Sequence, residues 1–269
     1  MQDLQIGFSI NEILFLVTLA TGLCWLAWRL KLRRMATPPA KKPLWVTFGS
    51  ELFVVVALMF TCRIAVADWP KVPSGSMEPT LRVGDYLLVN HLAYGPRLPF
   101  TNTAIEMGQP QRGDVVVFRY PLDVSQFYVK RLVGMPGDHV SFKDGAVRVN
   151  GAPFDTEVLG EGTLEEDRHQ LLMRETSAGS TRTLKINPLW QGRMPLNLRE
   201  PGLARHCRSE RDGLWECTVP AGQYLMLGDN RDNSVDSRIW GFLPHAQVYG
   251  KAVRVLINFS DLERAWTRL

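Results

Sequence analysis

The sequence predicts a mostly β protein in which two N-terminal transmembrane helices precede an antiparallel β domain with an inserted β-rich subdomain. Two long apolar stretches lie within the first 67 residues. From residue 83 onward, short runs of β-branched and aromatic residues alternate with turns rich in Gly and Asp, a pattern typical of antiparallel strands. A chain of 269 residues is long enough for one large domain and a membrane anchor.

The first apolar stretch, ILFLVTLATGLCWLAW at residues 13–28, contains no charge. As a helix it covers roughly 24 Å of a ~30 Å hydrocarbon core, so part of residues 4–10 is expected to complete the span. A buried core helix and a cleavable signal peptide are the alternatives. Asp3 and Glu12 precede the apolar run without any Lys or Arg, whereas a signal peptide begins with positive charge. We therefore predict a retained first transmembrane segment at residues 1–28.

The second apolar stretch, residues 44–67, is long enough to cross a membrane but contains Glu51 and Arg63. A charge at the bilayer centre costs about 2.5 to 3.5 kcal/mol on insertion scales. Both charges lie away from the uncharged centre at residues 52–62, and Arg63 can extend towards an interface marked by Asp68 and Trp69. These features favour a second transmembrane segment at residues 44–68, with an amphipathic interfacial helix as the alternative.

A basic loop at residues 29–43 joins the two stretches and predicts their orientation. It contains six basic residues and no acid: Arg29, Lys31, Arg33, Arg34, Lys41 and Lys42. Short basic loops stay in the cytoplasm, so the chain from about residue 69 onward is expected on the outer side of the membrane. Removing these six charges from the formal net charge of +4 leaves about −2 for the rest, which gives no support to nucleic-acid binding.

Five runs are predicted as strands of the exported domain: residues 83–90, 115–120, 127–133, 140–149 and 223–227. Within the fourth run, Asp144 and Gly145 separate HVSFK from AVRVN and predict a hairpin turn. Residues 152–220 are less regular and are predicted to form the inserted subdomain. The β domain proper is then expected to comprise residues 69–151 and 221–269.

The four cysteines divide between the membrane segments and the exported part. Cys24 and Cys62 lie in the predicted spans and are expected to be small apolar residues. Cys207 and Cys217 flank the turn-like sequence SERDG, and an oxidising compartment would allow a disulfide worth roughly 3 kcal/mol. Their spacing does not match a zinc site.

Ser76 in PSGSMEPTL and Lys130 in YVKRLVGMPGD are the candidate catalytic residues. A serine hydroxyl needs a base to become a nucleophile, and a lysine can act as one only as the neutral amine, which apolar burial favours. The flanks of Lys130 form a β-type run that can direct one side chain into a dry pocket. The alternative is that Lys130 and Arg131 are charges on a strand surface. The sequence contains neither a G-x-S-x-G elbow nor an H-E-x-x-H helix.

Four segments resemble, in order, the sequence boxes of bacterial type I signal peptidases of the two-span Gram-negative kind: PSGSMEPTL, RGDVVVFRYP, YVKRLVGMPGD and GDNRDNSVDSRIWGFLP. The resemblance implies a membrane-bound serine endopeptidase that removes signal peptides from exported preproteins by cutting after small residues. It implies that Ser76 attacks the scissile carbonyl and that Lys130 takes its proton. The backbone N–H of Ser76 and the hydroxyl of Ser74 are implied as the oxyanion hole.

The resemblance also assigns roles around the dyad. Ser234 matches a serine that orients the lysine amine, and Asp236 and Arg238 match a structural ion pair near the site. Gly75 allows the backbone to approach the substrate closely. Three residues match shallow substrate subsites but are equally compatible with a core position: Val72, Met77 and Val129. Glu78, next to Met77, is an acid close to the nucleophile that either perturbs the site or faces solvent.

The same resemblance implies a multi-pass protein of the bacterial inner membrane, with the catalytic domain on the periplasmic side. The implied partners are exported preproteins and the lipid bilayer, the protein is expected to be monomeric, and no metal or organic cofactor is implied. Two other functions remain open. One is a Ser/Lys peptidase dedicated to a single pilin-type or conjugation precursor, and the other is a membrane-anchored scaffold that binds exported proteins without cutting them.

Overall fold

The computed structural model describes residues 8–35, 37, 41–95, 107–143, 146–161, 170–177, 180–187, 194–209 and 214–269. Several predicted features therefore lie outside the described residues in whole or in part. They are the start of the first span at residues 4–7, residues 36 and 38–40 of the basic loop, the Asp144-Gly145 turn, most of the SERDG turn, and residues 162–169, 178–179 and 188–193 of the insert.

The first helix, α1 (Phe8–Arg33), is longer than the predicted segment because it continues through the first basic residues. Lys31 and Arg33 lie in its last turn, where their charges complement the negative end of the helix dipole. The predicted basic loop therefore begins inside the helix. Within the described part of the chain, Ile13–Arg33 is the one helix long and apolar enough to cross a membrane.

The second apolar stretch is helical but irregular. A π-helical segment (Val46–Ser50) precedes α2 (Leu52–Thr61), and a second π-helical segment (Cys62–Val66) follows it. Among the described residues, Val46–Thr61 forms a shorter apolar helix than α1. The predicted second span is therefore helical, whereas its crossing of the membrane remains a prediction.

Small residues lie at the contact between α1 and the second helical stretch. A Cβ atom on Gly22 would lie 3.0 Å from the ring of Phe53, and one on Gly49 would lie 2.9 Å from Cβ of Cys24. Close approach through glycine is a common packing mode of membrane helices. The two helical stretches therefore pack directly against each other.

A seven-stranded antiparallel sheet forms the centre of the β domain, in the order β1-β2-β15-β3-β4-β13-β14. Its strands are β1 (Ala67–Asp68), β2 (Asp85–Asn90), β3 (Val115–Tyr120), β4 (Asp123–Gly134), β13 (Gln223–Leu227), β14 (Leu243–Pro244) and β15 (Val248–Asn258). The sequence predicts β3 and β13 with these bounds. Strand β2 begins two residues later than predicted, after a turn at Gly84, whose φ of +91° favours glycine.

Strand β15 is the main element that the sequence analysis missed. It reads VYGKAVRVLIN and lies between β2 and β3, where Lys251 pairs with both Asn90 and Val116. Its buried and partly exposed residues alternate along much of its length. The other strands were recognised by runs of β-branched and aromatic residues. Strand β15 was not recognised because Lys251 and Arg254 interrupt its apolar residues.

Two smaller antiparallel sheets complete the domain. One has the order β11-β12-β5-β6-β7 and the other β10-β9-β8. Their strands are β5 (His139–Lys143), β6 (Ala146–Val149), β7 (Ala152–Pro153), β8 (Asp155–Glu161), β9 (Leu171–Ser177), β10 (Ser180–Ile186), β11 (Cys207–Ser209) and β12 (Trp215–Thr218). Residues 152–220 thus contain strands, as predicted for the insert. However, β7, β11 and β12 share a sheet with β5 and β6, which precede that region.

Candidate active site

Ser76 lies in a tight turn of the segment that joins β1 to β2. The N–H of Glu78 donates to the carbonyl of Gly75 at 3.1 Å, and the N–H of Leu81 donates to the carbonyl of Met77 at 2.9 Å. The Ser76 side chain is buried. Its backbone N–H donates no hydrogen bond to any atom of the described residues, so it is available to a ligand.

Asn230, which follows β13, makes two hydrogen bonds to the turn that contains Ser76. Its backbone N–H donates to the carbonyl of Ser76 at 3.1 Å, and its side-chain amide donates to the carbonyl of Gly75 at 3.1 Å. The sequence analysis assigned no role to Asn230, although it lies in the GDNRDNS motif. The two contacts fix the backbone on both sides of the Gly75–Ser76 peptide.

The structure brings Lys130 and Ser76 together, although they are 54 positions apart in the chain. Lys130 Nζ lies 2.7 Å from Ser76 Oγ, in a buried hydrogen bond. Lys130 pairs with Val116 of β3, its exposed fraction is 0%, and its amine lies 5.4 Å from the centroid of the Tyr128 ring. The alternative that Lys130 is a surface charge is therefore wrong.

The neighbouring Arg131 is also buried and is held by an ion pair. Its Nε and Nη2 atoms donate to the two carboxylate oxygens of Asp229 at 2.8 and 2.5 Å, and the Thr80 hydroxyl donates to the same carboxylate at 2.6 Å. Burial opposes the charge of Asp229, but Arg131 and these hydrogen bonds outweigh it and lower the pKa of Asp229. Sequence analysis missed this pair because nothing local connects residues 131 and 229.

Asp236 and Arg238 form the ion pair that the family resemblance implies. Arg238 Nε and Nη2 each donate to the Asp236 carboxylate at 2.7 Å, and the N–H of Gly228 donates to it at 3.0 Å. Asp236 also caps a short helix, α3 (Ser237–Trp240). Burial works to raise the pKa of Asp236, but the charge and hydrogen bonds of Arg238 prevail and lower it.

Ser74 and Ser234 lie near the dyad, each in a different way. The Ser74 hydroxyl lies 3.5 Å from Ser76 Oγ, at the limit of hydrogen bonding. Ser234 Oγ packs against Gly228, where a Cβ atom would lie 2.2 Å from it. Ser234 Oγ is buried without a hydrogen-bond partner of good geometry in the described residues, although its proximity helps to lower the pKa of Asp236. The role of Ser234 in orienting the Lys130 amine therefore remains a prediction.

Val72, Met77 and Val129 all belong to one apolar cluster, which also contains Leu81 and Leu87. Each of the three has an exposed fraction of 1% or less. The structure therefore assigns them the core position that the sequence left open, and their contact with substrate remains a prediction.

Cys207 and Cys217 form the predicted disulfide bond. The two residues pair directly across β11 and β12, in the five-stranded sheet. In the part of the chain that the structure describes, no group of three or more His, Cys, Asp or Glu residues is arranged to hold a metal ion.

Comparisons with known proteins identify the family of this chain. The model of the family described as "Signal peptidase, peptidase S26" matches residues 45–257. The chain belongs to this family. Signal peptidase I of Pseudomonas aeruginosa is 41% identical over 235 residues, which cover 82% of this chain and 75% of the relative. Signal peptidase I of Pseudomonas fluorescens is 38% identical over 236 residues, with coverage of 82% and 75%.

A solved signal peptidase I from Enterococcus faecalis is 27% identical and covers 53% of this chain and 96% of that chain. Its TM-score of 0.31 is too low to support an argument about the fold. The family match includes every candidate site residue and begins after α1. As a member of the type I signal peptidases, the chain is a serine endopeptidase.

Proposed function

We propose that this endopeptidase removes signal peptides from exported preproteins with Ser76 as nucleophile and Lys130 as general base. The single observation that carries the assignment is the buried contact of 2.7 Å between Lys130 Nζ and Ser76 Oγ. A serine hydroxyl needs a base to become a nucleophile, and the Lys130 amine is held against it away from solvent.

The reaction begins when Ser76 Oγ attacks the scissile carbonyl while its proton moves to the neutral Lys130 amine. The negative charge that develops on the carbonyl oxygen is stabilised by the Ser76 N–H and the Ser74 hydroxyl. Collapse of this intermediate breaks the C–N bond, and the Lys130 ammonium gives its proton to the departing amine. A water molecule, deprotonated by Lys130, then attacks the acyl-enzyme. The bond between Ser76 Oγ and the acyl carbon breaks, the Lys130 ammonium returns its proton to Ser76 Oγ, and the signal peptide leaves.

The surrounding residues support this dyad without joining the chemistry. Asn230 donates hydrogen bonds to the carbonyls of Gly75 and Ser76, which fixes the peptide whose N–H is proposed to bind the oxyanion. Asp236 and Arg238 hold the loop that carries Ser234. We assign the orientation of the Lys130 amine to Ser234, whose side chain lies beside Gly228, next to the Ser76 carbonyl.

The membrane arrangement that best serves this reaction has two spans and a periplasmic catalytic domain. Lys42 pairs with Glu51 at 2.6 Å, and Arg63 pairs with Asp68 at 2.9 Å, so the charges flanking α2 are paired near its two ends. Arg63 also lies over the Trp69 ring, an arrangement typical of a membrane interface. A catalytic domain tethered in this way meets substrates held in the same bilayer, which raises their effective concentration.

We further propose the domain division of residues 69–151 and 221–269 as the catalytic β domain and 152–220 as the insert, in a monomer. The three-stranded sheet β8–β10 lies wholly inside the insert and supports this division. Strands β7, β11 and β12 connect the insert to β5 and β6 and would keep it from moving as an independent unit.

The test is cleavage of several unrelated preproteins by the full chain in detergent micelles, with Ser76→Ala and Lys130→Ala as variants. Both variants should lose processing because each removes one half of the dyad. Ser125→Ala and Lys143→Ala change an exposed serine and an exposed lysine of the same domain and should process normally. Normal processing by Ser76→Ala would refute the dyad, and cleavage of a single precursor by the wild type would favour the dedicated peptidase.

A further inference from the structure

Strand β10 reaches the nucleophile turn through its backbone. The N–H of Lys185 donates to the carbonyl of Asp229 at 2.9 Å, and the N–H of Arg231 donates to the carbonyl of Lys185 at 2.9 Å. These two bonds enclose Asn230, the residue that holds the carbonyls of Gly75 and Ser76. The three-stranded sheet therefore contacts the site through Lys185.

The side chain of Lys185 makes a second connection to the same turn. Its amine lies 3.2 Å from a carboxylate oxygen of Glu78, and the two side chains are only 4% and 18% exposed. The Glu78 carboxylate in turn lies against Gly75, where a Cβ atom would be 2.9 Å from Oε1. A largely buried pair of opposite charges thus links β10 to the turn between Ser74 and Glu78.

The position of Glu78 creates an electrostatic problem for the proposed reaction. Negative charge develops on the substrate oxygen held by the Ser76 N–H and the Ser74 hydroxyl, the residues on either side of Gly75. A carboxylate packed on Gly75 opposes that charge, and little water is present to screen it. A cation at the carboxylate cancels most of this effect.

We propose that Lys185 and Glu78 act as a positioning pair for the cleavage reaction. Lys185 neutralises Glu78 beside the oxyanion site, and the pair fixes the turn that presents Ser76. Neither side chain is proposed to touch the substrate. The inference rests on the proposed function of Ser76 and Lys130, and it gives the inserted region a direct role in the rate of the chemical step.

The experiment compares Lys185→Met, Glu78→Gln and the double variant in the full chain, with a fluorogenic peptide that carries Ala-x-Ala before the scissile bond. Lys185→Met should lower kcat about tenfold, within the range of coupling between contacting charges, and leave KM within about twofold. Glu78→Gln should lower kcat less, because the charge left behind is positive. The double variant should recover kcat to within about threefold of the wild type, since neither charge remains.

Arg174→Met is the matched control on the same sheet, because Arg174 forms an exposed pair with Glu157 at 2.7 Å. It should leave kcat and KM unchanged. A double variant no more active than Lys185→Met would overturn the proposal, and so would a loss that appears only in KM. If Lys185→Met does not fold, Lys185→Arg keeps the charge and should retain kcat within about threefold; a larger loss in a folded Lys185→Arg would contradict the pair.

Ser76→Ala, assayed beside these variants, separates the two hypotheses. Cleavage by Ser76→Ala would refute the proposed function. Loss of cleavage by Ser76→Ala together with no recovery in the double variant would refute only the positioning pair.

Discussion

Lys130 and Arg131 are adjacent on β4, and both are buried, yet their surroundings differ completely. The Lys130 amine contacts the hydroxyl of Ser76 and lies near the Tyr128 ring. The Arg131 guanidinium makes two hydrogen bonds to the Asp229 carboxylate. Because successive side chains of a strand point to opposite faces, one strand serves two different environments at adjacent positions.

The difference shows that burial alone does not determine whether a basic side chain has a catalytic or a structural role. A full carboxylate partner keeps Arg131 charged and makes it a structural element. The Lys130 amine instead contacts a hydroxyl, the group from which the proposed chemistry requires it to take a proton. We therefore expect substitutions at Lys130 to affect the rate and substitutions at Arg131 to affect stability.

The largest effect is expected from Lys130→Arg. A guanidinium stays protonated and cannot take the serine proton, so kcat/KM should fall more than about 10⁴-fold, the scale on which members of catalytic triads contribute. The measurement is preprotein cleavage by purified full-length enzyme. Arg131→Lys serves as control because it keeps a cation at Asp229, and it should retain most of the activity. Comparable cleavage by Lys130→Arg and the wild type would show that residue 130 is not the base.

The sequence predicted the two environments unequally. The local sequence left open whether Lys130 is buried or a surface charge, and only the family boxes connected it to Ser76. The partner of Arg131 was not predictable, because Asp229 is 98 positions away and only the pairing of β4 with β13 brings them together. The contribution of Asn230 was missed for the same reason.

The fold shows the same division between local and non-local information. Strands β3 and β13 were predicted with their observed bounds because each contains four consecutive apolar or aromatic residues. Strand β15 was missed because it mixes Lys251 and Arg254 with apolar residues, and its central place depends on pairing with both β2 and β3. Lys185 could not be recognised as a neighbour of the site, because the sequence of the insert carries no motif that points to Glu78.

Arg131→Met should produce the next largest effect, on stability. Removing one partner of a buried ion pair leaves Asp229 as an uncompensated buried charge, which typically costs 3 to 5 kcal/mol. The measurement is the urea midpoint of tryptophan fluorescence for the full chain in micelles. Arg174→Met removes an exposed pair with Glu157 and should change the free energy of unfolding by less than about 1 kcal/mol. Equal midpoints for the two variants would contradict the structural role of Arg131.

The smallest expected effect is a difference between the pH dependence of the cleavage rate and that of the ion pairs' contribution to stability. As pH rises from about 6, kcat/KM should increase because a general base acts only in its unprotonated form. The ion pairs respond in a lower range of pH, because the pKa values of Asp229 and Asp236 are lowered in the folded state. Their contribution to stability is therefore present above the unfolded pKa of about 3.9 and is lost as pH falls through the folded values. Asp232, whose pKa burial raises, opposes this trend.

The corresponding measurements are kcat/KM and the urea midpoint of one preparation from pH 3 to pH 9. Between pH 6 and pH 9 the rate should change while the contribution of the two aspartates to stability stays constant. Below about pH 4 each proton taken up on unfolding should lower the free energy of unfolding by up to about 1.4 kcal/mol per pH unit. A rate that follows the unfolding curve throughout would mean that the fold, and not the Lys130 amine, limits activity at low pH.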